Sequence, residues 1–249
     1  MRLKNKVAIV TGSASGIGRA IAVEFAKEGA SVCVADKNLD GAKAVADEIK
    51  KTGGKATPIK VDVSKLSDID NMVATAVKEY GKIDILVNNA GVYIKGTILD
   101  LTEQAWDTMM DVMLKGTFFC SQRVVPHMLK QGKGKIINLG STFGAVGFFD
   151  ASAYCAAKGG IINLTRQMAL DLAPKKINVN ALGPGTTDTP LMAPDLAKPD
   201  TARLYMERLP IGRVARPQEI AWGAVYLASD EADFVTGHTL FIDGGWLTQ

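Results

Sequence analysis

The sequence predicts an α/β fold, one doubly wound parallel sheet with helices on both faces, using the whole chain. Three observations predict it. Short apolar runs alternate with longer amphipathic ones from end to end. The short runs, such as "VAIVTG" and "SVCVAD", are β-branched and continuously apolar rather than alternating, the pattern of strands buried on both faces. Strand–helix alternation of this kind requires right-handed crossovers between parallel strands. No low-complexity linker or internal repeat divides the 249 residues, so residues 1–249 are expected to form a single domain.

The elements follow in order. "VAIVTG" is a strand, residues 16–28 a helix, "SVCVAD" a strand and residues 39–52 a helix. "ATPIKVDV" is the next strand, residues 67–80 a helix and "IDILVNNAG" a strand. Residues 103–130 form one long helix, "GKIINLGS" a strand, residues 152–173 a helix and "INVNALGPG" a strand. Residues 217–229 form the last helix and "HTLFID" the last strand. The stretch about 186–212 breaks the alternation: it is Pro-rich, mixed in polarity and without a clean period. A long insertion between a strand and a helix is expected to act as a substrate lid.

Composition narrows the function. With 47% hydrophobic and 22% charged residues the chain can bury a sizeable core. The net charge of +3 is small and its basic residues lie among acidic ones, as in "KNLDGAKAVADEIKK", which argues against nucleic acid. The apolar run near the N-terminus is too short for a signal peptide or membrane span, so a cytoplasmic protein that engages no membrane is expected. Cys33, Cys120 and Cys155 show no paired spacing, which fits a reducing compartment. His127 and His238 stand far apart in sequence and belong to no short ligand motif, so no metal site is expected.

The turn "TGSASGIG" lies between the first strand and the first helix. Gly12, Gly16 and Gly18 there allow a tight turn and close approach of a pyrophosphate to the helix N-terminus. The spacing is not literally G-x-G-x-x-G, but its place makes the sheet Rossmann-type and the ligand a dinucleotide. Asp36 ends the second strand, where a carboxylate accepts hydrogen bonds from the ribose hydroxyls and repels the extra phosphate of NADP. Ser13, Ala14 and Ser15 offer that phosphate no positive charge, whereas Lys37 could partly offset the repulsion. NAD is therefore favoured over NADP.

The chemistry centres on "YCAAK". Tyr154 and Lys158 are four residues apart and share a helix face. A phenol of pKa near ~10 is a poor base at neutral pH, and an ammonium beside it favours the phenolate. Such a pair can remove an alcohol proton, or donate one to a carbonyl, while hydride moves to or from a nicotinamide. Ser141, leaving its strand at the C-terminal edge, can hold the substrate oxygen. Taken alone, the Tyr–Lys spacing fits an ordinary helix-surface pair better.

Taken together, "TGSASGIG", "NNAG", Ser141, "YCAAK", Pro184 and Gly185 with Thr189, and the terminal "IDGG" resemble the short-chain dehydrogenase/reductase family, in order and spacing, over essentially the full length. The resemblance implies Tyr154 as catalytic acid/base, Lys158 binding the nicotinamide ribose and tuning it, and Ser141 positioning the substrate oxygen. It implies cofactor contacts from Gly12, Ser15, Gly16, Ile17 and Gly18, from Asp36, and from Asp62 and Val63 at the adenine. Asn89, Ala90 and Gly91 would follow, with Pro184, Gly185, Thr187 and Thr189 toward the nicotinamide. It also implies a homotetramer, less often a dimer.

One residue departs from the family. Its usual fourth catalytic residue, an asparagine thought to hold a water behind the lysine, is matched by Met113 in "DVMLKGTFF". A thioether donates nothing and accepts weakly, so the proton would need another route. An impaired enzyme and a cofactor-binding sensor without turnover are the other readings. Tyr93, Phe143, Val146, Phe148, Phe149, Met192 and Tyr205 are expected to line an apolar pocket for a small secondary alcohol or ketone. A beta-ketoacyl-carrier-protein reductase is the closest rival. Ser15 and Asp36 speak against it, and Lys130, Lys133 and Lys175 would serve as its docking surface. Sugar and steroid dehydrogenases share the motifs.

Overall fold

The computed structural model describes residues 1–248. Seven parallel strands form one sheet in the order β3-β2-β1-β4-β5-β6-β7. They are β1 (Val7–Thr11), β2 (Ser31–Asp36), β3 (Lys55–Lys60), β4 (Ile85–Asn88), β5 (Gly134–Leu139), β6 (Ile177–Pro184) and β7 (Thr239–Ile242). The chain builds outward from β1 to β3, then returns to place β4 on the other side of β1. That reversal opens a crevice beyond the C-terminal ends of β1 and β4, where doubly wound sheets take their ligands. Pro58 lies in β3, an edge strand, where a missing N–H is tolerated.

Both faces of the sheet are covered. On one, α1 (Gly16–Lys27), α2 (Leu39–Lys51) and α9 (Pro217–Ala228) bury Phe25, Ile49, Ile220 and Val225 against β1 and β2. On the other, α3 (Leu66–Tyr80), α5 (Gly116–Gln131) and α6 (Ser152–Leu172) bury Met72, Val124, Met128 and Met168. Local sequence sets the boundaries. Asn38 caps α2 by accepting from Gly41 N, and left-handed Gly81 and Gly132 stop α3 and α5.

Several expected elements differ in extent. The helix expected over 103–130 is α4 (Glu103–Met109), a π turn over Met110–Lys115, then α5. Met113 sits in that wide turn, fully buried among Met109, Ala153, Ala157 and Ile161. Strand β3 stops at Lys60, leaving Asp62 and Val63 in a loop, and β4 stops at Asn88, before Asn89. Both sets of residues read as strand because they are apolar or follow apolar runs, yet they lie beyond the pairing edge of the sheet. Residues 186–212 contain two short helices, α7 (Ala193–Leu196) and α8 (Pro199–Met206), each with proline in its first turn.

A buried polar chain fixes α6 against the sheet. Asn88 and Asn138 are register partners on β4 and β5. Asn88 Nδ2 donates to Asn138 Oδ1 at 2.9 Å, and Asn138 Nδ2 donates to Thr165 Oγ1 at 2.9 Å. Thr165 lies two turns beyond Lys158 on α6, so this chain sets the height of the helix that carries Tyr154 and Lys158. Asn88 Nδ2 also donates to Ser121 Oγ at 3.0 Å, while Asn88 Oδ1 is buried without a partner.

Candidate active site

A cavity of about 630 Å³ runs along the C-terminal edge of β1, β4, β5 and β6, from Asp36 and Asp62 at one end to Met192 and Tyr205 at the other. Every residue singled out above as catalytic or cofactor-binding lies on its wall.

The glycine turn is held by backbone. Gly12 has φ +63°, and a Cβ there would lie 2.7 Å from Ala90 Cα. At Gly18 a Cβ would come within 2.2 Å of the Gly12 oxygen, so no side chain fits. Asn89 Nδ2 donates to the Thr11 and Gly12 carbonyls at 2.9 and 2.8 Å, which pins the turn. Ser15, the N-cap of α1, makes no side-chain cap hydrogen bond, leaving the first-turn N–H groups directed at the cavity. These features fit a dinucleotide pyrophosphate.

At the far end, the Asp36 carboxylate accepts from Ala14 N at 2.9 Å and Asn38 N at 2.8 Å. It ties the turn to the start of α2. Lys37 turns toward Asp62, its Nζ 3.1 Å from Oδ2. Burial raises the Asp62 carboxyl, but hydrogen bonds from Ser64 and Lys37 outweigh it and hold the group below the usual carboxylate range.

Ser141 follows β5 and accepts from Phe143 N at 3.1 Å, capping the short turn Thr142–Gly144. That turn packs on α6 so closely that a Cβ on Gly144 would meet the Lys158 carbonyl at 2.7 Å. The contact brings Ser141 to Tyr154 in the first turn of α6. Lys158 is buried and donates from Nζ to the Leu139 carbonyl at 2.6 Å. Its Nζ lies 5.6 Å from the centre of the Tyr154 ring.

The protonation of the pair differs from the expectation. Burial pushes the Tyr154 phenol up to about 12, with a hydrogen bond from Ser141 opposing it and the Cys155 thiol adding to it. Burial alone pulls Lys158 down to about 8. The ammonium does not lower the phenol here, because desolvation works against both charges at once. In the chain by itself Tyr154 is an acid holding its proton, and Lys158 gains or loses charge just above neutrality.

The opposite wall is built from distant segments. Thr189 lies over the glycine turn, 3.4 Å from where a Cβ on Gly16 would stand. Thr187 Oγ1 donates back to the Gly185 carbonyl at 2.9 Å. Phe143 stacks on Phe148 at 4.4 Å between ring centres, and Phe148 stacks on Tyr205 at 5.2 Å. Tyr93 meets the Tyr154 ring edge-on at 5.0 Å. Of the seven expected pocket residues, Tyr93, Phe143, Met192 and Tyr205 line the cavity. Phe148 stands behind Phe143, while Val146 and Phe149 are exposed, 42% and 66%. Their run "AVGFF" is apolar, but the loop turns only part of it inward. Trp246, which sequence reasoning missed, packs on Phe143 and Phe148, both at 5.7 Å. No local signal marks it, since the C-terminal stretch reaches this wall only through the fold.

Among the described residues there is no group of three or more His, Cys, Asp or Glu side chains suited to a metal, and no helix is long and apolar enough to cross a membrane.

Comparison with known proteins agrees with this geometry. A family model described as "Enoyl-(Acyl carrier protein) reductase", from the short-chain dehydrogenase group, matches residues 12–247. The chain is 40% identical over 246 residues to a 3-oxoacyl-[acyl-carrier-protein] reductase FabG of Thermotoga maritima, covering 98% of this chain and 99% of that protein. It is 42% identical over 248 residues to 2-(S)-hydroxypropyl-CoM dehydrogenase 3 of Xanthobacter autotrophicus, covering 98% and 97%. A short-chain type dehydrogenase/reductase from Mycobacterium marinum superposes with a TM-score of 0.95 at 37% identity, over 99% of this chain and 97% of that one. A Beutenbergia cavernae structure with NADP bound at low occupancy superposes with a TM-score of 0.95 at 36% identity, over 99% and 98%. With its glycine turn, its Tyr–Lys helix and its full-length relatives in agreement, the chain belongs to the short-chain dehydrogenase/reductase family of NAD(P)-dependent oxidoreductases.

Proposed function

We propose that the chain interconverts a small secondary alcohol and a ketone with NAD(H), using Tyr154 as general acid/base. One observation carries this reading: Ser141, Tyr154 and Lys158 converge on the same cavity that Asp36 closes at its other end. A nicotinamide bound along the cavity would supply or accept the hydride. Ser141 and Tyr154 hold the substrate oxygen, and Tyr154 gives its proton to a carbonyl or takes one from an alcohol. Lys158, one helical turn from Tyr154, would hold the ribose of a bound cofactor. Met113 takes no part, being sealed in the apolar cluster beneath α6. Proton exchange would then run through the Lys158 amine, which burial pulls down to about 8 and so allows to lose and regain a proton near neutrality.

NAD is assigned over NADP on Asp36, and the Lys37–Asp62 pair supports it by engaging the one nearby cation. Residues 186–212 serve as the substrate lid of a single domain. We assign the assembly as a homotetramer in the cytoplasm. The names of the FabG relatives favour a second reading, reduction of a ketoacyl group on a carrier protein, and the NADP in the Beutenbergia cavernae structure suggests NADPH for it.

The test is consumption of NADH and NADPH over ketones, beta-ketoesters, ketosugars and a ketoacyl-carrier thioester, for wild type, Met113→Asn and Asp36→Asn. Wild-type turnover with NADH on small ketones is expected. Asp36→Asn should move the kcat/KM ratio about tenfold toward NADPH, ~1.4 kcal/mol. Turnover confined to NADPH and the carrier thioester would establish the second reading. Recovery only in Met113→Asn would show that the proton route is broken.

A further inference from the structure

One buried carboxylate ties residues 186–212 to the loop after β4. Asp195, on α7, takes Lys95 Nζ on Oδ1 at 2.6 Å and the Tyr205 hydroxyl on Oδ2 at 3.3 Å. Each oxygen therefore serves a different segment, the loop after β4 and α8. Burial holds the Tyr205 phenol well above its ordinary range, so it stays a donor to that carboxylate. Met192 and Tyr205, on either side of Asp195 in the chain, line the cavity, whereas Asp195 and Lys95 do not.

Lys95 leads on to the catalytic helix. Its neighbour Gly96 pairs with Ala151: Gly96 N donates to the Asp150 carbonyl at 3.0 Å, and Ser152 N donates to the Gly96 carbonyl at 3.3 Å. Ser152 opens α6 just before Tyr154. At Gly96 a Cβ would lie 2.5 Å from Leu101 Cδ1, so the loop is closely packed there. The ion pair thus joins α7 to a loop already fixed against the start of α6. Breaking it from the lysine side leaves a buried carboxylate without its counter-charge, which is costly. Thr187, at the base of the segment, is held separately by its pairing with Ala215.

We infer that Lys95 and Asp195 are positioning residues for the substrate: together they clasp residues 186–212 to the start of α6 and hold Tyr205 in the cavity wall. The clasp acts on the substrate end and leaves the glycine turn and Asp36 as they are. The inference rests on the reading of residues 186–212 as a lid in the proposed function.

Trypsin reads the clasp without turnover. Arg203, on α8, is exposed, and cleavage after it is followed by mass spectrometry in wild type, Lys95→Met, Asp195→Asn, the double variant and Lys95→Arg. Either single loss should speed this cut roughly tenfold and raise substrate KM roughly three- to tenfold, with kcat and cofactor Kd held within about twofold. The double variant should be no faster than the faster single, because both remove one interaction, and Lys95→Arg should keep wild-type rates. Asp195→Asn, which keeps the shape, carries the test should Lys95→Met fail to fold. Unchanged cleavage in both singles, additive effects in the double variant, a rise in cofactor Kd equal to that in KM, or faster cleavage with KM unmoved would each overturn the inference. Absence of turnover on every ketone would sink the proposed function, and the cleavage rates alone would then decide the clasp.

Discussion

The two ends of the cavity are built by different means. The cofactor end is made of backbone: a turn closed by Gly12 and Gly18, pinned by Asn89, and tied to α2 by Asp36. The substrate end is made of side chains, with Tyr93 after β4, Phe143 after β5 and Tyr205 on α8, and Trp246 packs on Phe143 from behind. Backbone sites tolerate few residue types, so the pattern survives as a readable motif. A side-chain wall tolerates many apolar residues at each place, provided that total volume and patterning are kept. The cofactor class therefore reads directly from the sequence, and the substrate does not.

The largest expected effect on stability lies at the junction of the two ends, at Lys158. Its pKa is about 8 in the folded chain against 10.5 for the ordinary group. Between those values the unfolded chain binds the extra proton, so stability rises with pH across that window, by at most on the order of 3 kcal/mol. Below pH 8 both states are protonated and the gain is absent. The opposite sign from Tyr154, raised to about 12, enters only above pH 10. Urea unfolding at pH 8 and pH 10 should show the rise in wild type and not in Lys158→Met. An equal rise in both would mean that Lys158 is not buried as a lone cation.

Gly18→Ala breaks the comparison from the cofactor side. Its methyl would stand 2.2 Å from the Gly12 oxygen and 2.4 Å from Asn89 Nδ2, and overpacking of this kind costs about 1–3 kcal/mol. Cofactor Kd measured by fluorescence titration should rise roughly 10- to 100-fold. An unchanged Kd would show that the turn is not the pyrophosphate cradle.

The smallest effect sharpens the substrate side. Phe149→Ala removes a ring that is 66% exposed and off the cavity wall, so stability should stay within about 0.5 kcal/mol and kcat/KM should not move. A clear rise in KM would return Phe149 to the pocket, where its sequence neighbours first suggested it.

What the sequence made legible follows the same division. All seven strands were readable because both faces of the sheet are apolar; β2 ends where expected, and the other six C-terminal ends were overrun by one to three residues, in β3 because the loop stays apolar at Val61 and Val63. Ser141, Tyr154 and Lys158 were readable as a set, since each has a fixed place relative to a strand end or a helix turn. The π turn at Met110–Lys115 was not, because a single extra residue per turn leaves the apolar spacing almost unchanged. Nor was the direction of the tyrosine shift, which depends on how deeply both charges are buried rather than on their spacing. Trp246 and the Lys95–Asp195 pair join segments far apart in the chain, and only the folded sheet brings them together.

The most direct test of the central claim is one variant read two ways: Tyr154→Phe, with cofactor Kd by fluorescence titration and turnover by NADH consumption on a ketone that the wild type reduces. Cofactor Kd should hold within about twofold, because the backbone-built end is untouched, while turnover falls by roughly 10²- to 10⁴-fold. Undiminished turnover would contradict the account, and loss of cofactor binding would show that the two ends are not separately built.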